Sequence, residues 1–490
     1  MRRRDVLRTF GGVAGATLLS TRRWALAEPR QPMRDVIVVL PGITGSVLRK
    51  GGQDLWALSA QGIFGAVKTL GDNLQALRIA NDPADADDLG DGITADRLMT
   101  DVHLIPGFWK IDGYTKLLDT IRERFHVDPG HNLFPFPYDW RRDNRVAARR
   151  LARESHTWLQ AWRESSGNPD AKLILVAHSM GGLVARYFLE CLEGWKVTRQ
   201  LITFGTPYRG SLNALNFICN GYTKTLGPVK VADLTELLRS FTSVYQLLPV
   251  YPCYDPGNGQ LVRVAEAKNV PHLDAARAAQ ALAFHREIDE HVTANRKNEQ
   301  YRLNGYKIHP VIGTFQPTLQ SARLGAGRVQ MSTTFPGQQL DGDGTVPRPS
   351  ATPREISEQD AGLFIAEMHG SLQNSDPALV QLSGLLSGQS LKWESFWGPE
   401  ALSIALLMDD SYVSTEPVVV RARQAPPELK LTLRATVTHT GTGQQKSLAM
   451  KQRPDGIHEA RIGLLLAGTY RVNVRSGTDS VTDVFVMVGA

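Results

Sequence analysis

The stretch 172-KLILVAHSMGGLVARYFLEC-191 decides the fold. Lys172 to Val176 is a short, nearly continuous apolar run, the pattern of a strand buried on both faces. From Leu183 the spacing turns helical, with Leu183, Val184, Tyr187, Phe188 and Cys191 on one stripe. Between the two, Ala177-His178-Ser179-Met180-Gly181 has the shape of the nucleophile elbow G-x-S-x-G, with Ala in the first position. A serine on a strained strand-to-helix turn projects its Oγ clear of both elements. The positions two before and two after must be small, because the two backbones pass close together there, and Ala177 and Gly181 satisfy this. The Met180 N–H, at the helix N-terminus, points where an oxyanion would form, helped by the positive end of the helix dipole. A plain strand-turn-helix in which Ser179 only caps the helix is the competing reading. His178 reads as a packing residue beneath the turn, since a base adjacent to the serine would point away from its Oγ.

Working outward, Arg34 to Leu40 is a second buried-strand pattern, and Pro41-Gly42-Ile43-Thr44-Gly45-Ser46 ends it abruptly. In an α/β-hydrolase such a turn supplies the other oxyanion donor, which makes the Ile43 N–H the candidate. A serine nucleophile also needs a base and a carboxylate to orient that base, in the chain order Ser, acid, His. Asp343, flanked by Gly342 and Gly344, can be held close to an imidazole without crowding; Asp341 is the second candidate acid. His369, followed by Gly370, can place Nε2 toward Ser179 and Nδ1–H toward Asp343. His272, His285 and His291 fall in or beside a helical insertion, and His439 and His458 in the C-terminal tail. As metal ligands Asp341 and Asp343 lack companions and no H-e-x-x-H-type zinc motif occurs, so neither metal nor cofactor is expected.

The 490-residue chain has room for more than one domain. Its formal charge of +6 is concentrated in residues 1–27, where six arginines face Asp5 alone, leaving the remainder near +1. That excludes a nucleic-acid reading based on a basic patch. Arg3-Arg4-Asp5-Val6-Leu7-Arg8, a modestly apolar stretch from Phe10 to Leu19 and Ala25-Leu26-Ala27 have the order of a twin-arginine signal peptide with its cleavage site. Export across a bacterial inner membrane to a periplasmic or extracellular location follows as an expectation, with Glu28 as the mature start. No run of about 18 or more apolar residues suggests a membrane-spanning helix. Of the cysteines, Cys191 lies on the buried helix stripe, while Cys219 and Cys253 can be either free or paired.

Tyr114 to Phe125, Asn144 to Arg163 (with Asn144 as N-cap), Leu234 to Leu248 and Ala275 to Ala294 read as helices. Asn132 to Trp140, Val197 to Phe204 and Lys307 to Ile312 read as strands, and Asp139 and Arg141 as a structural charge pair. The acidic stretch Asn81 to Asp88 reads as a solvated loop, since the calcium-loop spacing is absent. Residues 49–110 show little strand alternation, and Leu58 to Leu77 is compatible with an amphipathic helix over the site. Alternating strands and helices over residues 28–412 indicate a doubly wound, mostly parallel sheet. From Val418 to Val488 six short β-rich runs separated by Gly and Pro turns predict a small β-sandwich over residues 413–490, immunoglobulin-like by analogy, with its boundary near residues 410–417.

These stretches together resemble the lecithin–cholesterol acyltransferase family of the α/β-hydrolase superfamily, in a bacterial form. The matching segments are Pro41-Gly42 with Gly45, Pro137-Tyr138-Asp139-Trp140-Arg141, Ala177-His178-Ser179-Met180-Gly181-Gly182, Ser240-Phe241-Thr242-Ser243-Val244-Tyr245, Gly342-Asp343-Gly344-Thr345-Val346-Pro347 and His369. They cover residues 36–372 and not the tail. The resemblance implies Ser179 as nucleophile, Asp343 as acid, His369 as base, and Ile43 and Met180 N–H as the oxyanion hole. It also implies helical cap and lid insertions, assigned to residues 49–110 and 212–265, over an acyl-binding track. The expected reaction is acyl transfer from a lipid or membrane-surface ester, to water (lipase, phospholipase) or to an alcohol (O-acyltransferase). A non-lipid esterase or amidase on the same triad, and an inert binding protein whose working part is the sandwich, are the alternatives.

Overall fold

The computed structural model describes residues 29–56, 75–100, 102–105, 109–226, 229–356, 363–388, 403–427 and 431–489. The expected signal peptide, and all of the expected Leu58–Leu77 helix except its last residues, lie outside them. At the centre is a six-stranded sheet of β1 (Val36–Leu40), β2 (Leu133–Pro135), β3 (Leu173–His178), β4 (Thr198–Phe204), β5 (Lys307–Gly313) and β6 (Leu363–Ile365), in the order β6-β5-β4-β3-β1-β2. Every pairing in it is parallel. Purely parallel sheets are covered on both faces, which is why β1 and β3 are buried along their whole length.

The two faces divide the strand residues by their period of two. Val36, Val38 and Leu40 of β1 pack with helices α2 (Asn144–Ser166) and α3 (Gly181–Cys191), and α7 (Ala275–Asn295) packs on α3. Ile37 and Val39 face the other way, onto α1 (Thr115–Arg124) and α8 (Asp376–Leu386). The chain runs from β1 outward to β2 and then returns to place β3 on the opposite side of β1. The topological switch point therefore lies between the carboxyl ends of β1 and β3, where open α/β sheets form their binding crevice.

Several local expectations are corrected. Helix α2 is capped by the Asp143 side chain, which accepts the Arg145 N–H at 2.8 Å, so Asn144 is its first residue rather than its cap. The apolar run Leu234–Leu248 is two short helices, α5 (Thr235–Ser240) and α6 (Thr242–Gln246), broken at Phe241 with extended ψ. Of Asn132 to Trp140 only Leu133–Pro135 is strand, since Pro135 and Pro137 have no N–H to give a neighbour. Residues 49–110 contain antiparallel strands: Ser46–Lys50 pairs with Gln53–Trp56 and Ile93–Leu98, and His103–Ile105 with Trp109–Ile111. The other insertion mixes α4 (Leu212–Asn220), α5 and α6 with a hairpin, Thr223–Leu226 against Val229–Asp233, so neither insertion is purely helical.

The acidic loop is anchored rather than simply solvated. Asp82 forms a buried ion pair with Arg142 at 3.0 Å, and Arg142 also donates to the Asp87 and Ala86 carbonyls. Beside it, the fully buried Arg141 is clamped by Asp139 at 2.6 Å and Asp91 at 3.0 Å, an extension of the expected Asp139–Arg141 pair. Cys191, Cys219 and Cys253 are free thiols. Burial raises all three, Cys191 and Cys219 to about 12.

The C-terminal region forms two β-sheets around one core. The strands are β7 (Ser403–Leu406), β8 (Ser411–Val413), β9 (Val418–Ala425), β10 (Arg434–His439), β11 (Gln445–Ala449), β12 (Lys451–Gln452), β13 (His458–Gly463), β14 (Gly468–Ser476) and β15 (Asp479–Val488). One sheet is β7-β9-β13-β12 and the other β8-β15-β14-β10-β11, antiparallel except for β8 against β15. Alternate residues such as Val418, Val420 and Ala422 point inward to meet Val472, Val474 and Phe485. Strands β7 and β8 belong to these sheets, so the sandwich starts before the expected 410–417 boundary. The expected start of the second β-rich run, Leu429, lies outside the described residues.

Candidate active site

Every element of the site leaves the carboxyl edge of the parallel sheet. β3 ends at His178 and the next residue, Ser179, takes φ 51°, the strained left-handed turn expected of an elbow. Its N–H donates to the Phe204 carbonyl at 2.8 Å, and its carbonyl accepts the Gly182 N–H at 3.0 Å. A Cβ on Gly181 would lie 2.5 Å from the Pro41 carbonyl oxygen, and one on Gly42 2.9 Å from the Ser179 Cβ. Only glycine lets the loop after β1 pass this close to the elbow.

The structure brings Ser179, His369 and Asp343 together. His369 Nε2 lies 2.9 Å from Ser179 Oγ, and His369 Nδ1 lies 2.7 Å from Asp343 Oδ2. With Nδ1–H donated to the carboxylate, Nε2 keeps its lone pair toward the serine hydroxyl. Asp343 is fully buried, and its other oxygen, Oδ1, accepts the Thr345 and Val346 N–H groups at 2.9 and 2.7 Å. The His369 N–H also donates to the Asp343 carbonyl at 2.8 Å, so the acid and base loops are tied by backbone as well as side chain. Asp341 does not reach the histidine. Its carboxylate accepts the Phe315 and Gly342 N–H groups and shapes the loop that carries Asp343.

Ile43 and Met180 flank the serine, Ile43 in the loop after β1 and Met180 at the start of α3. Neither N–H donates to any acceptor among the described residues, which leaves both available to an oxyanion. His178 stands beneath the turn in a relay. Tyr114 OH accepts the Gly42 N–H at 2.8 Å and lies 3.0 Å from His178 Nδ1, while His178 Nε2 lies 3.1 Å from the His369 carbonyl. Burial, with His369 nearby, lowers the His178 pKa to about 3. The imidazole is therefore neutral, accepting from Tyr114 at Nδ1 and donating to His369 at Nε2. One side chain from α1's N-cap and one from β3 thus join the Ile43 loop to the His369 loop. Tyr114 gave no signal in the sequence, since its partners are distant.

Two cavities meet the triad. A narrow, almost wholly apolar one beside Ser179 is lined by Ile43, Ala214, Phe217, Val244, Leu247 and Val346. Four of these, Ala214, Phe217, Val244 and Leu247, come from the insertion at residues 212–265. A second cavity lies on the His369 and Asp343 side, with a wall supplied by the sandwich. Among the described residues no group of three or more His, Cys, Asp or Glu side chains is arranged to hold a metal ion, and no helix is long and apolar enough to cross a membrane.

Residues 108–303 match the family model described as lecithin:cholesterol acyltransferase. The human lysosomal phospholipase A and acyltransferase is 26% identical over 259 residues, 49% of this chain and 58% of the relative. Its Bos taurus counterpart is 26% identical over 201 residues, 39% of this chain and 46% of the relative. The chain thus spans about half the length of these curated relatives. Among solved structures, a Bacillus licheniformis lipase in its propeptide form covers 94% of this chain and 75% of its own at 14% identity and a TM-score of 0.37. At that score the fold assignment rests on the sheet itself. The segment 108–303, which includes the Ser179 elbow, is thus where the chain is similar to the lecithin:cholesterol acyltransferase family.

Proposed function

We propose that the protein transfers an acyl group from a lipid ester through an acyl-enzyme on Ser179. The observation that carries this reading is the continuous Ser179–His369–Asp343 hydrogen-bonded line at 2.9 and 2.7 Å, opening on an apolar cavity. Ser179 Oγ attacks the ester carbonyl carbon as its proton passes to His369 Nε2. The oxyanion accepts hydrogen bonds from the Ile43 and Met180 N–H groups, in a site where preorganised donors cost no reorganisation. The carbon–oxygen bond to the leaving alcohol then breaks, and His369 returns the proton to the departing oxygen. In the second step water or an alcohol gives its proton to His369 and attacks the acyl carbon; the acyl–Oγ bond breaks and His369 returns the proton to Ser179 Oγ. Asp343 holds the imidazole in the required tautomer throughout.

The cavity beside Ser179 holds only about 10 Å³, so an acyl chain enters it as the 212–265 insertion shifts; its apolar lining supports a lipid rather than a short polar acyl donor. The lipid surface is reached after export, which rests on the twin-arginine pattern of residues 1–27. A serine-directed fluorophosphonate is expected to label the protein at Ser179, and Ser179→Ala to abolish both labelling and turnover, by about 10⁴-fold or more. Release of fatty acid from phospholipid, triacylglycerol and short-chain esters, with and without an added alcohol, ranks the donors and acceptors. Folded protein that takes no label would leave the inert binding reading in its place, and turnover of amides or short polar esters alone would favour the non-lipid one.

A further inference from the structure

The sandwich is fastened to the hydrolase at the loops that carry the triad. Gln316, buried in the loop after β5, donates Nε2 to the Ile404 carbonyl at 2.9 Å and accepts the Leu406 N–H at 3.1 Å, so its amide pairs with both polar groups of β7. The same residue's N–H donates to the Gly342 carbonyl at 2.9 Å, one position before Asp343. Lys110 bridges Asp410 at 2.8 Å and Asp483 at 2.6 Å, and Arg471 donates to Asp112 at 3.0 Å. The buried Glu367, two positions before His369, accepts the Thr482 N–H at 2.6 Å. Four hydrolase residues, Gln316, Lys110, Asp112 and Glu367, thus make six attachments to the sandwich.

The segment leaving β7 faces Asp343 and His369 across a cavity of about 380 Å³, with Leu406, Leu407 and Met408 on the sandwich side and Thr345, Met368 and His369 on the other. Lys110 and Asp410 add polar groups to its lining. Stereochemistry assigns this space. In a tetrahedral adduct on Ser179 the oxyanion faces Ile43 and Met180, and the acyl group turns toward the apolar lining beside the serine. The remaining substituent, the alkoxy oxygen, must lie within hydrogen-bond reach of His369 Nε2, which protonates it on departure and deprotonates it on attack. The alcohol body therefore projects to the His369 side, into the cavity the sandwich closes.

We propose that the Leu406–Met408 segment forms a wall of the alcohol subsite, and that this subsite takes an amphiphilic alcohol, with an apolar body against Leu407 and Met408 and a polar end toward Lys110 and Asp410. The inference rests on the acyl-enzyme reading above. In the transfer step the alcohol's O–H proton goes to His369 Nε2, its oxygen bonds to the acyl carbon, the bond to Ser179 Oγ breaks, and His369 protonates Oγ. The C-terminal region, which lies outside the family match, would then set how the acyl group divides between water and lipid-like alcohols.

The test uses the full chain with p-nitrophenyl butyrate as a common donor and methanol, 1-octanol and monooleoylglycerol as competing acceptors. Product division from one acyl-enzyme does not depend on how fast that intermediate forms, so it isolates the second step. The parent is expected to make octyl and glyceryl esters in preference to methyl ester. Leu407→Trp, which fills the cavity, should lower the octyl-to-methyl ratio at least fivefold, and Leu407→Ala should raise the share of monooleoylglycerol. A parent that delivers butyryl to water alone at saturating octanol overturns the proposal. So does a ratio unmoved in both variants, or a loss shared equally by methyl and octyl esters. Fluorophosphonate labelling of the parent separates the two levels: a parent that labels but divides its products indifferently fails only this inference, and one that does not label fails the reading beneath it.

Discussion

The two walls of the candidate site are built by different physics. The wall at Ile43 and Met180 is made of chain that leaves neighbouring strands, β1 and β3, and is fixed by close backbone contact and by the strain at Ser179. The wall at Leu406–Met408 comes from the C-terminal region, and is held by side-chain hydrogen bonds from Gln316, 88 and 90 residues away in the chain, and by the half-buried Lys110–Asp410 pair, 300 residues apart. The first has steric tolerance of tenths of an ångström; the second depends on charges that must find each other after both regions have folded. A preorganised oxyanion site needs the first kind of rigidity. A subsite that selects among alcohols can be built with the second.

The comparison breaks most sharply at Gly205, where β4 ends with φ 57° and an added Cβ would sit 2.9 Å from both Asp343 Oδ2 and His369 Nδ1. Gly205→Ala should lower kcat about 10²-fold by displacing the His–Asp pair, as misplacement of about 1 Å does, with KM for a short ester little changed. A variant with parental kcat would mean the pair has slack, and that the rigid wall is not rigid.

On the other wall the largest expected effect is at Lys110. Burial works against its charge, but Asp483 and Asp410 more than offset this and hold the ammonium above its ordinary value. Lys110→Met leaves two carboxylates facing each other beside the buried Glu367, and should destabilise the fold by about 3–5 kcal/mol, the range for removing one partner of a buried pair. Urea unfolding followed by tryptophan fluorescence measures it. A loss below about 1 kcal/mol would class the bridge with exposed pairs and weaken the case for a fixed interface.

The same contrast explains what could be read in the sequence. Ser179, its small neighbours and the turn after β1 were legible because strand period, helix period and glycine placement are local properties of the chain. Asp343 and His369 were legible because chain order and flanking glycines narrow the choice. The Asp82–Arg142 pair, the Tyr114–His178 relay and the Leu406–Met408 wall were not, because each is a meeting of distant segments that leaves no periodic trace. Nearer misses have nearer causes. Asp143 and Asn144 are both good caps, and only the backbone decides which one precedes the first turn. The apolar spacing from Leu234 to Leu248 continues across Phe241 although its hydrogen-bond ladder stops there, so periodicity alone could not reveal the break.

Acid should expose the rigid half first. Burial lowers His178 to about 3 and His285 and His309 to about 4, with Lys307 also acting on His309. Each is a base whose folded value lies below its unfolded value of about 6.5, so its contribution is present above that pH and is lost as pH falls toward 4 and below. His178 and His309 lie in the hydrolase sheet, and His285 lies on α7, which packs on α3 and α6. The thermal midpoint is expected to fall steadily from pH 6.5 to 4.5, and His285→Gln, which can still donate to the Gln246 carbonyl, should flatten the slope. A profile unchanged in that variant would mean the histidine is already protonated in the folded state.

The smallest effect sharpens the comparison at the seam between the two halves. Glu367 is buried, and burial pushes its carboxyl well above the ordinary carboxylate range, with Asp483 and Asp112 adding to the shift and the Met368 and Thr482 N–H groups opposing it. Its stability contribution is fully present below its unfolded value of about 4.5 and is lost as pH rises through the folded value. Glu367→Gln keeps an acceptor for the two N–H groups and has no proton to lose. It should match the parent within about 1 kcal/mol at pH 5 and overtake it at pH 8.5, as read from urea midpoints. If the parent instead gains on the variant as pH rises, Glu367 works as a carboxylate, and the sandwich is held to the His369 loop by charge alone rather than by a neutral hydrogen-bonding group placed among charges.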